Sequence, residues 1–268
     1  KEADSVLKQH EKKEKSAAYK TGVIIAGLLL IPILITFIVC LSNGGGLNTF
    51  AVVTASMLLV AAMTVVPLMA QQKKLTKCII CGVFALLLIF FFVDRMYSSN
   101  EFMLWSVPTI FGLSIVLFPF VIRGIELPPA LSDKKALITM LWDTLWLFLT
   151  IIEVCGHTND VAGMKAGCII AFVFVLAAWL IFFDARYLNA NGFIKSAIIV
   201  LTASVWTAFA DDICEFLIFG TRQITIKSVN FSDWTSNICV NANVYAIVLV
   251  SGVIIASIPV SYTHLTLP

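Results

Sequence analysis

The chain has 268 residues, of which 60% are hydrophobic and 13% charged, with a mean hydropathy of +0.97 and a formal net charge of +2. A soluble domain carries about 25% charged residues, so this composition excludes a soluble globular protein. Crossing a hydrocarbon core takes roughly 20 apolar residues of helix, and the chain supplies that length many times over.

Residues 1–20 come first and mix lysine with glutamate; Val6 and Leu7 are the only large aliphatics among residues 1–19. They predict a cytoplasmic charged linker or helix rather than a domain. Because the chain starts at Lys1, an upstream part is expected to be missing. A secretory signal is not expected, since the first apolar run is full length and lacks a small-residue cleavage site.

Eight apolar segments follow, at 22–42, 50–70, 78–93, 102–122, 136–155, 163–183, 196–219 and 242–260. The third is short and is expected to borrow a turn at each end. Segments apolar on every face are not soluble amphipathic helices. Backbone groups in lipid must be satisfied within the segment, and the alternation of barrel strands is absent, so each segment is expected to be a helix. The predicted fold is an all-α, eight-helix membrane domain over 21–260.

Charge in the connections sets the orientation. With the N-terminus inside, fourteen Lys and Arg residues lie on the cytoplasmic side, among them Lys73, Lys74, Lys77, Arg123, Lys134, Lys135, Arg186 and Lys195. Only Arg95, Lys165, Arg222 and Lys227 lie outside. This positive-inside bias predicts that both termini are cytoplasmic.

Lys20, Lys77, Lys135 and Lys195 recur at intervals of 57, 58 and 60 residues, each just before an apolar stretch. Two spans and one outer loop separate consecutive lysines, which predicts four tandem hairpin repeats. Pro67, Pro119 and Pro259 sit near the cytoplasmic ends of even-numbered spans, and aligning Lys135 on Lys195 superposes Trp146 on Trp206. Each repeat holds an even number of spans, so the repeats are parallel, unlike the inverted repeats of many secondary transporters.

Ionisable groups inside a membrane are expensive and are the first place to look for function. Asp143 lies eight residues past Lys135, roughly 12 Å into the membrane. A carboxylate at such depth costs about 2.5–3.5 kcal/mol on insertion scales, so it should face protein or be protonated. With Trp142 and Trp146 it forms a candidate intramembrane polar site. Two readings stand: a proton or cation site or hinge, or an interhelical hydrogen bond to a Ser, Thr or Trp N–H.

A second candidate is an outer acidic cluster of Glu153, His157, Asp211, Asp212 and Glu215. Asp94, Glu153 and the Asp211–Asp212 pair lie 16–18 residues past their cytoplasmic lysines, or roughly 24–27 Å. That is the outer edge of the hydrocarbon, where carboxylates mark emerging helices. Asp211 and Glu215, at i and i+4, project from one helix face and could instead line a vestibule for a cation or basic ligand. The alternative is that the seventh helix overshoots the bilayer, with residues 216–219 packing under the loop 220–241.

Other motifs carry little. Cys78-x-x-Cys81 has no second CxxC or His pair to complete a zinc set, and nothing supports a bridge between Cys155 and Cys239. Gly44-Gly45-Gly46 reads as an outer turn, because no phosphate-binding glycine pattern surrounds it. Nucleophile elbows and HExxH are absent. No metal, cofactor or catalytic residue is expected. Residues 260–268, Val-Ser-Tyr-Thr-His-Leu-Thr-Leu-Pro, match the translation of transposase-adapter DNA, GTC TCT TAT ACA CAT CTG ACG CTG CCG. Residues 261–268 are therefore expected to be an adapter-derived tail and are set aside from fold reasoning.

A resemblance is carried by the middle third. Phe111-Gly112-Leu113-Ser114-Ile115-Val116-Leu117-Phe118-Pro119-Phe120-Val121-Ile122-Arg123 leads through Leu127-Pro128-Pro129-Ala130-Leu131-Ser132 to Lys135-Ala136-Leu137 and Asp143-Thr144-Leu145. This resembles the polytopic region that follows a helix-turn-helix domain in some bacterial XRE-type regulators, and related zinc-ribbon membrane proteins. The resemblance covers most of 20–260. No DNA-binding or zinc-ribbon residues occur in this portion, so no nucleic acid is expected to bind it. It implies a bacterial plasma-membrane module that anchors or senses for a cytoplasmic N-terminal domain, with the lipid bilayer as its partner. The alternative expectation is a small transporter or permease using Asp143 and the outer acidic end of the seventh helix.

Overall fold

The computed structural model describes residues 2–43 and 46–265, and side chains for 16–43 and 46–258. Eight α-helices follow one another: α1 (Glu2–Ser42), α2 (Asn48–Met69), α3 (Lys74–Tyr97), α4 (Phe102–Gly124), α5 (Lys135–His157), α6 (Val161–Tyr187), α7 (Gly192–Phe219) and α8 (Asn237–Leu265). Short 3₁₀ turns at Ser132–Lys134 and Thr225–Ser228 complete the regular structure, and no strand occurs among the described residues. All eight helices are long and apolar enough to cross a membrane. The pattern is that of a multi-pass membrane protein.

α3 extends as expected, whereas α8 differs from the sequence expectation at both ends. α3 gains a turn at each end beyond 78–93, because helical hydrogen bonding continues past the apolar run into Lys74–Lys77 and Asp94–Tyr97. α8 starts at Asn237 rather than 242, so part of the expected outer loop is helix, and it continues through Leu265 into the tail segment. Residues 266–268 lie outside the described residues, as do Gly44 and Gly45 of the glycine turn. At the other end, the charged N-terminal segment and the first span form one unbroken helix of 41 residues.

The chain divides into two compact units, Lys1–Glu153 and Val154–Pro268. Within the first, α1 packs on α2, α2 on α3 and α3 on α4; within the second, α6 packs on α7 and α7 on α8. Small residues make these contacts. Buried positions include Ala55, Ala62 and Ala85 in the first unit and Ala197, Ala208, Ala242 and Ala256 in the second, while Ile24, Phe84 and Phe174 stay exposed. Lipid is as apolar as leucine, so helices associate where small side chains let backbones approach. A Cβ at Gly82 would find room beside Met63 and Leu59, whereas Gly252 of α8 lies directly against Ser204 of α7, and Gly124 against Thr76.

Hydroxyls in the spans are mostly satisfied locally. Thr36, Thr54, Thr64, Thr109, Thr139, Thr150 and Thr207 each donate to the carbonyl four residues back, which leaves little polar surface to meet lipid.

Helix ends are held by side chains. Asp160 accepts from Gly163 N and Asn191 from Ile194 N, capping α6 and α7. Gly220, at φ 73°, ends α7 in the left-handed conformation that glycine adopts without strain. Lys135 Nζ donates to Arg123 O at 3.2 Å and Ile125 O at 3.0 Å, so one of the four recurring lysines caps the C-terminal end of α4. Beside it, Lys73 pairs with Glu126 at 2.7 Å.

Candidate functional site

Asp143 meets Ser114. The two residues approach along the chain from opposite directions: Asp143 is eight residues past Lys135 on α5, and Ser114 nine residues before Arg123 on α4. Ser114 Oγ lies 2.8 Å from Asp143 Oδ1 and 2.9 Å from its own helix's Phe111 O. A hydroxyl has one hydrogen and two acceptor lone pairs. Serving both oxygens takes either a hydrogen shared between them or a second proton from the carboxyl of Asp143. Asp143 is half-buried and Ser114 buried.

The bond is therefore interhelical and goes to a serine. The tryptophans play another part. Trp142 stacks on Phe118 at 4.9 Å and 10° and touches Trp146 at 5.7 Å. The buried Nε1 atoms of both, like the buried Ser106 Oγ, have no hydrogen-bond partner among the described residues. Trp206, which falls on Trp146 when Lys195 is aligned on Lys135, donates Nε1 to Val173 O at 3.0 Å. Buried indole N–H groups usually find acceptors, so the orphan pair beside Asp143 is unusual.

A cavity of about 250 Å³ opens next to this pair. Its walls come from α3 and α4, closed by Trp142 of α5, with Ser114 and Phe118 on one side and Ile79, Val83 and Leu113 among the aliphatic remainder. A concave apolar site with few polar groups is the usual form of a small-molecule pocket.

The outer acidic cluster resolves into separate roles. Glu153 closes the first unit, whereas His157, Asp211, Asp212 and Glu215 belong to the second. Asp212 accepts from Thr225 N at 3.0 Å and from Thr225 Oγ1 at 2.5 Å, clamping the 3₁₀ turn onto α7. Asp211 accepts from the Tyr245 hydroxyl of α8 at 3.4 Å. Phe216 carries Arg222 over its ring at 5.9 Å, while Phe219 is exposed rather than packed under the loop. His157 is exposed and Glu215 half-buried. Among the described residues, no three His, Cys, Asp or Glu side chains gather in a way that could hold a metal ion.

Asp94 does in the first unit what Asp212 does in the second. It is buried, and it accepts from Ser99 Oγ at 2.8 Å and Glu101 N at 2.7 Å, fastening the turn between α3 and α4. Both aspartates stand seventeen residues past their lysines, Lys77 and Lys195.

Asn243 is a residue to which the sequence offers no pointer. It is fully buried, accepts from Asn230 N at 2.8 Å, and donates to Asn230 O and Asp233 O at 2.8 and 3.2 Å. Asp233 in turn accepts from Thr235 N, Thr235 Oγ1 and Ser236 N just before α8. These hydrogen bonds, that of the Thr235 backbone foremost, pull its carboxyl down to a pKa of about 2.

The cysteines are free thiols. Cys78 Sγ donates to Ala62 O at 3.0 Å and lies 3.7 Å from Met63 Sδ, a packing role between α2 and α3. Comparison with protein-family models, with curated proteins and with solved structures gave no match to this chain.

Proposed function

We propose that the chain is a non-enzymatic module of a bacterial plasma membrane that anchors, and senses for, a cytoplasmic regulatory domain, with both termini inside. The observation that carries this reading is α1. The charged segment and the first span are one continuous helix, Glu2–Ser42, about 60 Å long at 1.5 Å per residue. Pro32 removes one hydrogen bond from the span but the helix continues through it, so a shift inside the bilayer has a continuous path to whatever the cytoplasmic end carries. The positive-inside distribution of lysine and arginine supports the orientation. The matching jobs of Asp94 and Asp212 support four parallel hairpin repeats. Recovering the complete reading frame tests the proposal: a helix-turn-helix or zinc ribbon ahead of Lys1 supports it, and a start methionine directly ahead of Lys1 removes it.

The Ser114–Asp143 pair favours one second reading, a small transporter in which Asp143 carries a proton or cation. In that case Asp143→Asn folds normally and loses transport, because an amide does not titrate.

A further inference from the structure

We propose that the cavity between α1, the end of α2 and the start of α3 binds the head group of an anionic phospholipid from the lysine-rich leaflet. The inference needs only that these helices cross a bilayer, and it stands apart from the anchoring module proposed above.

Position comes first. The cavity, of about 280 Å³, is lined by Ser16 and Tyr19 of α1, Leu68 and Met69 at the end of α2, Gln71 of the turn and Lys74 at the start of α3. The apolar lengths of these helices begin at Ser16, end at Met69 and begin again at Lys74. The walls therefore stand where the spans end, at the level where head groups meet hydrocarbon. α1 is held against α2 there, because a Cβ on Gly22 would come within 2.8 Å of Met69 Cγ. The lining holds both halves of a phospholipid's chemistry: aliphatic side chains and, beside them, hydroxyl, amide and ammonium groups.

Charge names the occupant. Lys20 follows Tyr19, Lys73 precedes Lys74, and Lys77 lies one turn further on, on the helix face of Lys74. Lys73 pairs with Glu126 at 2.7 Å. Among the described residues, Lys20, Lys74 and Lys77 have no carboxylate partner, and no carboxylate lines the cavity. Orientation in a membrane asks only that lysines lie on one side. It asks for no cavity among them, and Lys135, another of the recurring lysines, is engaged with helix carbonyls instead. Basic clusters beside span ends attract anionic lipids, and basic clefts between helices hold their head groups. A zwitterionic head group brings its own cation and gains less, and a free phosphate leaves the aliphatic half of the lining unused.

The test is titration of the delipidated full chain in detergent with dioleoylphosphatidylglycerol and, separately, dioleoylphosphatidylcholine, read by native mass spectrometry. One phosphatidylglycerol should bind ahead of all others, with a preference of about tenfold or more over phosphatidylcholine. Lys74→Gln should weaken that binding about fivefold, the contribution of one lysine near an anionic surface. Combining it with Lys20→Gln and Lys77→Gln should erase the preference. Lys195→Gln, which removes the same charge at the start of α7, should leave it unchanged. Ala18→Trp fills the cavity from α1 without altering charge and should abolish the tight site; should that variant not fold, Ser16→Trp serves the same end. Equal affinity for the two lipids overturns the proposal. So does a loss in Lys195→Gln as large as in Lys74→Gln, or a preference that survives the cavity-filling variant, since either would leave only the general attraction of a basic surface. Displacement of the lipid by inorganic phosphate alone would assign the cavity to a soluble anion and overturn it as well. None of these outcomes touches the anchoring reading, which the reading frame decides.

Discussion

Ser114 and Asp143 face each other at matching depth because α4 runs towards the side that α5 leaves, and nine residues of one nearly equal eight of the other. Asp143 should therefore tolerate asparagine better than leucine. In Asp143→Asn the side-chain amide would still accept the serine hydroxyl and could donate as well; leucine forfeits the bond, at about 0.6–2 kcal/mol in a membrane. Thermal unfolding in detergent should rank wild type and Asp143→Asn together above Asp143→Leu. Leucine tolerated as well as wild type, in stability and in activity, would show that the residue is incidental.

The eight helices could be read from sequence because length and uniform hydrophobicity suffice to specify a span, and the lysines gave its register. Asp143 stood out for a similar reason, being a lone carboxylate in an apolar run. Its partner did not: Ser114 looks like any span hydroxyl until the helix faces are known. Asn243 was hidden because its position beside the expected start of the last span made it look like an end residue. Gly252 and Ser204 carry no local signal at all, since their meaning lies in a crossing between two helices.

Asp212 should hold the loop after α7 in place. Asp212→Ala removes both contacts to Thr225 and leaves a part-buried N–H unpaired, costing about 1–3 kcal/mol. Limited proteolysis should then cut within 220–236 faster than in wild type. An unchanged cleavage rate would show that Asn243 alone secures the loop.

The helix crossing at Gly252 should be intolerant of size. Any Cβ there meets the Oγ and Cβ of Ser204, so Gly252→Leu overpacks the interface at a cost of about 1–3 kcal/mol. Ser204→Gly should recover part of the loss. A double variant no better than the single one in a denaturant titration would place the strain elsewhere.

Orientation is open to direct labelling. In a background with the native cysteines replaced, single cysteines within 46–49, 156–162 and 220–236 should react with an impermeant maleimide in intact cells. Those within 71–77 and 123–135 should react only after lysis. Labelling of the second set in intact cells would sink the N-in arrangement.

Acid should loosen the loop before α8. Asp233 is depressed from 3.8 to about 2, first by its backbone hydrogen bond from Thr235. A carboxylate held below its unfolded value stabilises the fold fully above that unfolded value, and the contribution is lost as pH falls from near 4 towards 2. Glu126 is likewise lowered, chiefly by its hydrogen bond from Lys73, but this exposed pair should also weaken with salt. Amide exchange at Thr235 and Ser236 should rise across that acid window in wild type; in Asp233→Asn it should already be fast at neutral pH.

The contact of Gly252 on Ser204 bears on bilayer thickness. Two helices joined at backbone distance cannot tilt independently, so a thinner or thicker membrane must tip α7 and α8 as one plank. The plank's ends sweep further than its middle, and the loop joining them, fastened by Asp212 and Asn243, travels with it instead of absorbing the motion. A change in lipid chain length would therefore reach the aqueous face of the second unit as a displacement of the whole 220–236 segment.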